Sequence, residues 1–232
     1  MGLLYEGKAK QLFEGPEPDT VIIRFKDSVT AGNAAKRAQI AEKGTLSAAI
    51  SLKLLELVGA AGIPTHLLRW LDERSFLARL VEIIPLEVVV RNRAAGSIVR
   101  RLGLERGRAF EPPLIELFYK SDELGDPLLC ESHIQLLELA RPDELQQIKR
   151  LALQAQGILK AYFAPLQLEL VDLKFELGRV KGKIILADEI SPDTMRLWDS
   201  ETGQSFDKDV FREDKGELGA TYLEVARRMG VR

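Results

Sequence analysis

Residues 167–190 constrain the fold more than any other part of the chain. Two runs, 167–177 and 183–190, are joined by Gly178-Arg179-Val180-Lys181-Gly182, which reads as a β-hairpin. In the first run Asp172, Lys174 and Glu176 alternate with Leu173 and Phe175, so all three charged residues point to one face. A turn centred near Val180 puts Asp188 opposite Asp172 on that face. Three carboxylates crowded beside one lysine repel one another unless something neutralises them. A hard cation such as Mg²⁺, which binds a few carboxylates together with substrate phosphates, would do so. A solvated strand face with a Lys–Asp pair would also do so, and the two readings stand side by side.

The other elements follow from local pattern. Strands are expected at 3–6, 11–13 and 20–25, with turn chemistry in Gly15-Pro16-Glu17-Pro18-Asp19. Thr45 caps a helix whose Leu46, Ile50, Leu54 and Leu57 share one face, ended by Gly59 and Gly62-Ile63-Pro64. Strands follow at 66–71, 75–80 and 87–93. The clearest helix covers 142–163, with Pro142 at its first position and Asp143 and Glu144 at the positive end of its dipole. Another covers about 218–229. Repeats, low-complexity tracts and linker-like composition shifts are absent from the sequence. Hairpins mixed with helices indicate an α+β fold.

The balance of 33 Lys+Arg against 35 Asp+Glu in 232 residues excludes the basic footprint of bulk nucleic-acid binding, so any anion site is local. One cysteine, Cys130, cannot form an intramolecular disulfide, and with only His66 and His133 it cannot build a cysteine-rich zinc site. Cys130 is expected as a small buried apolar group, His66 as structural, and Trp70 and Trp198 as core. Charge arrives before any apolar run at the start, and no stretch approaches the ~18 apolar residues of a membrane span. The expectation is a reduced, cytoplasmic chain.

Three stretches carry chemistry. Gly7-Lys8-Ala9-Lys10 joins two strands, offering close backbone approach and positive charge to phosphates; two solvated lysines beside a turn is the plain alternative. Arg91-Asn92-Arg93-Ala94-Ala95-Gly96-Ser97 ends a run too apolar to be exposed. Its arginines and a short helix opening at Gly96-Ser97 suit an anion, against a basic edge strand. Residues 188–199 pack acids and Arg196 around a turn.

With Ile83 to Ser97 and Leu170 to Gly178 as its most specific stretches, the chain resembles the phosphoribosylaminoimidazole-succinocarboxamide synthase (SAICAR synthetase) family from Tyr5 onward. The resemblance implies an N-terminal antiparallel sheet over the nucleotide (1–80) and a substrate- and metal-binding α+β part (81–232), related to ATP-grasp and kinase nucleotide sites. It implies an ATP-dependent ligase that joins L-aspartate to carboxyaminoimidazole ribonucleotide (CAIR) through an acyl phosphate in purine biosynthesis, as a cytoplasmic homodimer. Lys8, Ala9, Lys10 and Arg79 match ATP-side positions, Arg79 standing where many members have lysine. Glu176 and Asp188 match Mg²⁺- and ATP-side carboxylates, and Asp126 matches a loop acid near the metals. Arg91, Ser97, Asp172, Lys174, Asp193, Arg196 and Arg212 match substrate-side positions. Lys10, Lys174, Glu176, Asp188 and Arg212 are the expected catalytic groups. Asn33 stands where some members have Asp. The expected partners are small molecules, with neither nucleic acid nor membrane.

Overall fold

Short apolar runs punctuated by glycine and proline pair most readily as antiparallel strands. A computed structural model, which describes residues 2–31, 36–212 and 216–231, shows two such sheets. The first contains β1 (Leu3–Glu6), β2 (Lys10–Glu14) and β3 (Thr20–Phe25). A separate hairpin, β4 (Ser28–Ala31) and β5 (Lys36–Gln39), leads to helix α1 (Lys43–Ala60). The chain then returns as β6 (Leu67–Asp72) and β7 (Ser75–Arg79), giving the order β1-β2-β3-β7-β6.

The second sheet begins with β8 (Glu82–Arg93). Helix α2 (Ser97–Leu102), β9 (Ala109–Tyr119), β10 (Leu128–Leu129), α3 (Glu131–Leu136) and α4 (Pro142–Phe163) follow. Next come β11 (Leu168–Val180), β12 (Lys183–Ala187) and β13 (Met195–Asp199), then α5 (Asp209–Arg212) and α6 (Leu218–Met229). The order is β10-β9-β8-β11-β12, and β13 also pairs with β11. With β8 along one edge, β11 shares its other edge between two partners: β13 pairs with Leu168–Leu173 and β12 with Glu176–Val180. The loop 188–194 therefore leaves the sheet beside the middle of β11, where the Lys174 N–H donates to the Thr194 carbonyl at 2.8 Å. This arrangement positions the site.

One core runs through both sheets. Ile50, Leu54 and Leu55 of α1, Ile148, Ala152 and Leu159 of α4, and Tyr222 and Val225 of α6 pack with Val88, Val90, Leu173 and Phe175. Each large side chain so buried contributes roughly 1.5–3 kcal/mol. Helix α4 covers the expected span, opened by Pro142, with the Glu144 carboxylate accepting the Arg141 N–H at 2.9 Å.

Several expectations are corrected. The hairpin turn is two residues, Lys181-Gly182, both at positive φ (49° and 76°), a geometry that matches strand twist. Val180 consequently pairs with Lys183 and Glu176 with Ala187, so the register is displaced from one centred on Val180. Asp188 lies past the end of β12 at φ 60°, and Asp172 faces Arg91 and Arg196 instead. Helix α1 begins at Lys43, with Glu42 rather than Thr45 in the flanking position. The Thr45 hydroxyl accepts from Arg74 Nε at 3.2 Å. Strand β8 starts at Glu82 and passes through Pro85, where the pairing with β11 shifts register, a place that tolerates a missing N–H. Cys130 is exposed, because it precedes the short surface helix α3. Trp70 is exposed on edge strand β6, whereas Trp198 is buried as expected. Among the described residues, no helix is long and apolar enough to cross a membrane.

Candidate active site

A cleft of about 720 Å³ opens between the two sheets. The Gly7–Lys10 turn and Leu12, Val21 and Ile23 line it from the first sheet. Arg79 to Val81, Ile83 and Pro85 line it where the chain crosses between sheets. Lys120, Asp126, Lys174, Glu176, Asp188, Glu189, Asp193 and Lys208 supply its charged side. The apolar lining thus comes from the first sheet and the crossing segment, and most of the charge from the second sheet and its loops.

The charged residues pair across elements. Lys10 of β2 donates to Asp188 and lies 3.3 Å from Glu189 Oε1, tying the first sheet to the loop beside β11. Burial opposes the charge on Lys10, but Asp188 and Glu189 outweigh it and raise the pKa. Burial likewise works against the Asp188 carboxylate, and Lys10 and Lys174 prevail, holding its pKa near 2. Lys174 Nζ lies 2.7 Å from Glu87 and 2.8 Å from Glu176, and Lys120 donates to the second Glu176 oxygen. Burial disfavours the Lys174 ammonium as well, yet Glu176 and Glu87 raise its pKa. Glu189 differs: burial outweighs Lys10 and pushes its carboxyl upward. The carboxylates on the β11 face are therefore neutralised by lysines from β2, β11 itself and the segment after β9. Among the described residues, no three His, Cys, Asp or Glu side chains form a closed metal cluster.

A second cluster adjoins this cleft. Arg91 is buried, its Nε 2.7 Å from Glu116 and its Nη1 2.6 Å from Asp172. Arg196 bridges Asp172 at 3.0 Å and Asp209 at 2.6 Å, and Arg212 joins Asp209 at 2.5 Å. Burial opposes the Arg196 charge, but Asp172 and Asp209 prevail. Gly96, at φ 64°, admits Arg196 beside Ser97, since a Cβ there would lie 2.5 Å from Arg196 Nη2.

Of the residues singled out from sequence, Lys8, Ala9, Lys10, Arg79, Asp126, Lys174, Glu176, Asp188 and Asp193 line the cleft. Asp172, Arg91, Arg196 and Arg212 gather in the adjoining cluster, next to Ser97. Asp126 stands at the cleft margin, its carboxylate accepting the Ser121 N–H at 2.9 Å. Asn33 lies outside the described residues. Glu87, Lys120, Glu189 and Lys208 also line the cleft but had no individual role in the sequence reading, although Glu87 and Glu189 fall within stretches it singled out. Glu87 had a signal, because it sits opposite Glu176 in register, but that register is set by sheet pairing. His66 also lines the cleft; burial lowers its pKa to about 4 and leaves Nε2 without a partner.

Lysines interleaved with carboxylates in a cleft between two sheets make a site suited to an enzyme that holds anionic substrates by charge. The family model of SAICAR synthetase matches residues 3–229. The phosphoribosylaminoimidazole-succinocarboxamide synthase of Persephonella marina is 49% identical over 97% of this chain and 95% of its own length. That of an Exiguobacterium species is 49% identical over 99% and 98%. A crystal structure of the Ehrlichia chaffeensis enzyme superposes with a TM-score of 0.97 at 42% identity, covering 100% of this chain and 99% of its own. A SAICAR synthetase in complex with ADP gives 0.95 at 43%, over 98% and 97%. The chain belongs to the SAICAR synthetase family and is an ATP-dependent carboxylate–amine ligase of purine biosynthesis.

Proposed function

We propose that the cleft binds ATP with its adenine against the apolar lining and its phosphates under Gly7–Lys10, and that CAIR lies beyond them toward Ser97, Arg196 and Arg212. The observation that carries this reading is Lys10, which reaches from the first sheet to Asp188 and Glu189 of the second. A phosphate chain between the sheets meets a lysine from one side and carboxylate-bound groups from the other. On this reading residues 1–80 cover the nucleotide and residues 81–232 hold the second substrate.

The donor set suits Mg²⁺, a hard cation that takes one or two carboxylates and completes its shell with phosphates and water. Glu176 and Asp188 would hold it, with Asp126 at the margin, and it would supply positive charge to the transferring phosphoryl group. In the reaction itself, a CAIR carboxylate oxygen attacks the γ-phosphorus as the bond to ADP breaks. The amine of L-aspartate then attacks the acyl phosphate carbon, phosphate leaves and the amine gives up a proton. Lys10 and Lys174 stabilise charge on the transferring group, and the Arg196–Asp172 pair orients the substrate side. No protein nucleophile is required, so alignment and charge neutralisation carry the rate.

We propose further that the chain acts in the cytoplasm as a homodimer. Leu124, Leu128, Leu136 and Leu137, exposed around β10 and α3, support subunit contact, which light scattering tests.

ADP release will require CAIR, product formation will also require L-aspartate, and EDTA will stop both. ADP release independent of CAIR, or undiminished turnover in EDTA, would refute the corresponding assignment.

A further inference from the structure

Three carboxylates, Asp188, Glu189 and Asp193, belong to the loop between β12 and β13. Lys10 meets the first two from the cleft. Asp193 is shared by two lysines from opposite sides. Lys43, the first residue of α1, is 1% exposed and donates a hydrogen bond to Asp193 Oδ2. Lys208, which lines the cleft, approaches Oδ1 to 3.2 Å without a well-formed hydrogen bond. The two partners differ in place: Lys43 is fully buried behind the carboxylate, whereas Lys208 lines the cleft.

Other contacts fix Lys43 in place. Its ammonium lies 5.6 Å from the centre of the buried Tyr222 ring of α6. The Gly44 N–H binds Asp27 after β3 at 2.9 Å, and Ser51 of the same helix accepts the Ile190 N–H at 3.2 Å. Helix α1 is therefore tied both to the first sheet and to the loop. Lys43 does not line the cleft, whereas its partner Asp193 does, so its route to a bound substrate passes through Asp193.

The charge count supplies the reason for such a residue. Lys43, Asp193 and Lys208 together carry one net positive charge, and Lys208 is the cation of the three that lines the cleft. Without Lys43, Lys208 is the one lysine left beside Asp193 in a partly buried setting, where a carboxylate strengthens its hold on its remaining cation.

We infer that Lys43 is a positioning residue: by neutralising Asp193 from behind the cleft, it leaves the Lys208 ammonium available to a carboxylate-bearing substrate. The inference rests on the reading of this cleft as the substrate site and adds the device that keeps one of its cations free.

The test is steady-state kinetics, per folded molecule, for wild type, Lys43→Met and Lys43→Arg. Lys43→Met will raise the KM for CAIR or for L-aspartate about 10-fold or more, the cost of losing one charge-assisted contact. The KM for ATP will stay within about twofold, and Lys43→Arg will restore most of the loss because it keeps the charge. If Lys43→Met folds poorly, Lys43→Gln, which keeps a polar group toward Asp193 but no charge, will show the same selective rise. A fall in melting temperature with all three KM values unchanged would overturn the inference, as would equal rises for ATP and the carboxylate substrates, or a Lys43→Arg variant no better than Lys43→Gln. A wild type that turns over ATP without regard to CAIR or aspartate would overturn the underlying reading and this inference with it.

Discussion

Arg91 shows how one side chain's burial changes what its substitution does. At the end of an apolar strand it resembled a cation waiting for an anion. The structure surrounds it with Glu116 and Asp172, both buried, and with the Ala95 carbonyl at 3.3 Å. Removing one partner from a buried ion pair costs about 3–5 kcal/mol, because the remaining charges stay desolvated. Arg91→Ala will therefore lower the melting temperature by roughly 10 °C, at 2–4 °C per kcal/mol for a chain of this size. A variant that melts like wild type and loses only CAIR affinity would return Arg91 to direct anion binding. His66 couples stability to pH. Burial depresses its pKa from 6.5 to about 4, so the unfolded chain binds its proton first. The stabilisation from a neutral His66 is complete above pH 6.5 and drains away as pH falls toward 4, in total roughly 3 kcal/mol. Asp207 acts in the opposite sense: burial raises it to about 6, so its contribution is present below its ordinary 3.8 and is lost as pH rises through 6. His66→Gln will flatten the decline in stability between pH 6.5 and 4 in denaturant titrations. An unchanged slope would mean that His66 is not buried neutral. Neither behaviour was legible from sequence, since a lone histidine or arginine declares nothing about its neighbours.

At the scale of the element, β11 organises the site. Its alternation of charged and apolar residues was readable because the period of two is a local property of the strand. Its division between β12 and β13 was not, because that depends on two strands meeting the same edge. The bulge near Gly178 is equally tertiary. A Cβ at Gly178 would lie 2.4 Å from Val81 Cγ1 and 2.5 Å from the Glu82 carbonyl oxygen. The backbone of β8 cannot yield cheaply there, and overpacking of this kind costs about 1–3 kcal/mol. Gly178→Ala will destabilise the protein by that amount, and it will also disturb the placement of Glu176 two residues away. Calorimetry paired with activity measures both, and full stability would show that the crossing between sheets tolerates a side chain.

For the molecule as a whole, the cleft between the two sheets makes ligand binding a stability measurement. A nucleotide present at 100 times its dissociation constant adds about 2.7 kcal/mol to the folded state. ATP or ADP with Mg²⁺ will raise the melting temperature by roughly 5–10 °C in wild type. On the proposed placement, Lys10→Ala will remove most of that shift, because it takes away the positive charge that would face the phosphates. A full shift in the variant would place the phosphates elsewhere. The sequence alone determined what is local: the helix over 142–163 from its apolar spacing, the α+β mixture from its hairpins, the charged face of β11 from its period, and the family from stretches such as Ile83 to Ser97. Tertiary structure decided which charge meets which. Lys43 and Asp193, or Lys10 and Asp188, are far apart along the chain, and only the packing of α1 and β2 against the loop 188–194 brings them together. It also decided the hairpin register, because two residues at positive φ, rather than a five-residue loop, close the turn. Periodicity is written residue by residue, whereas burial and ion pairing are properties of surfaces that exist only after the sheets have met.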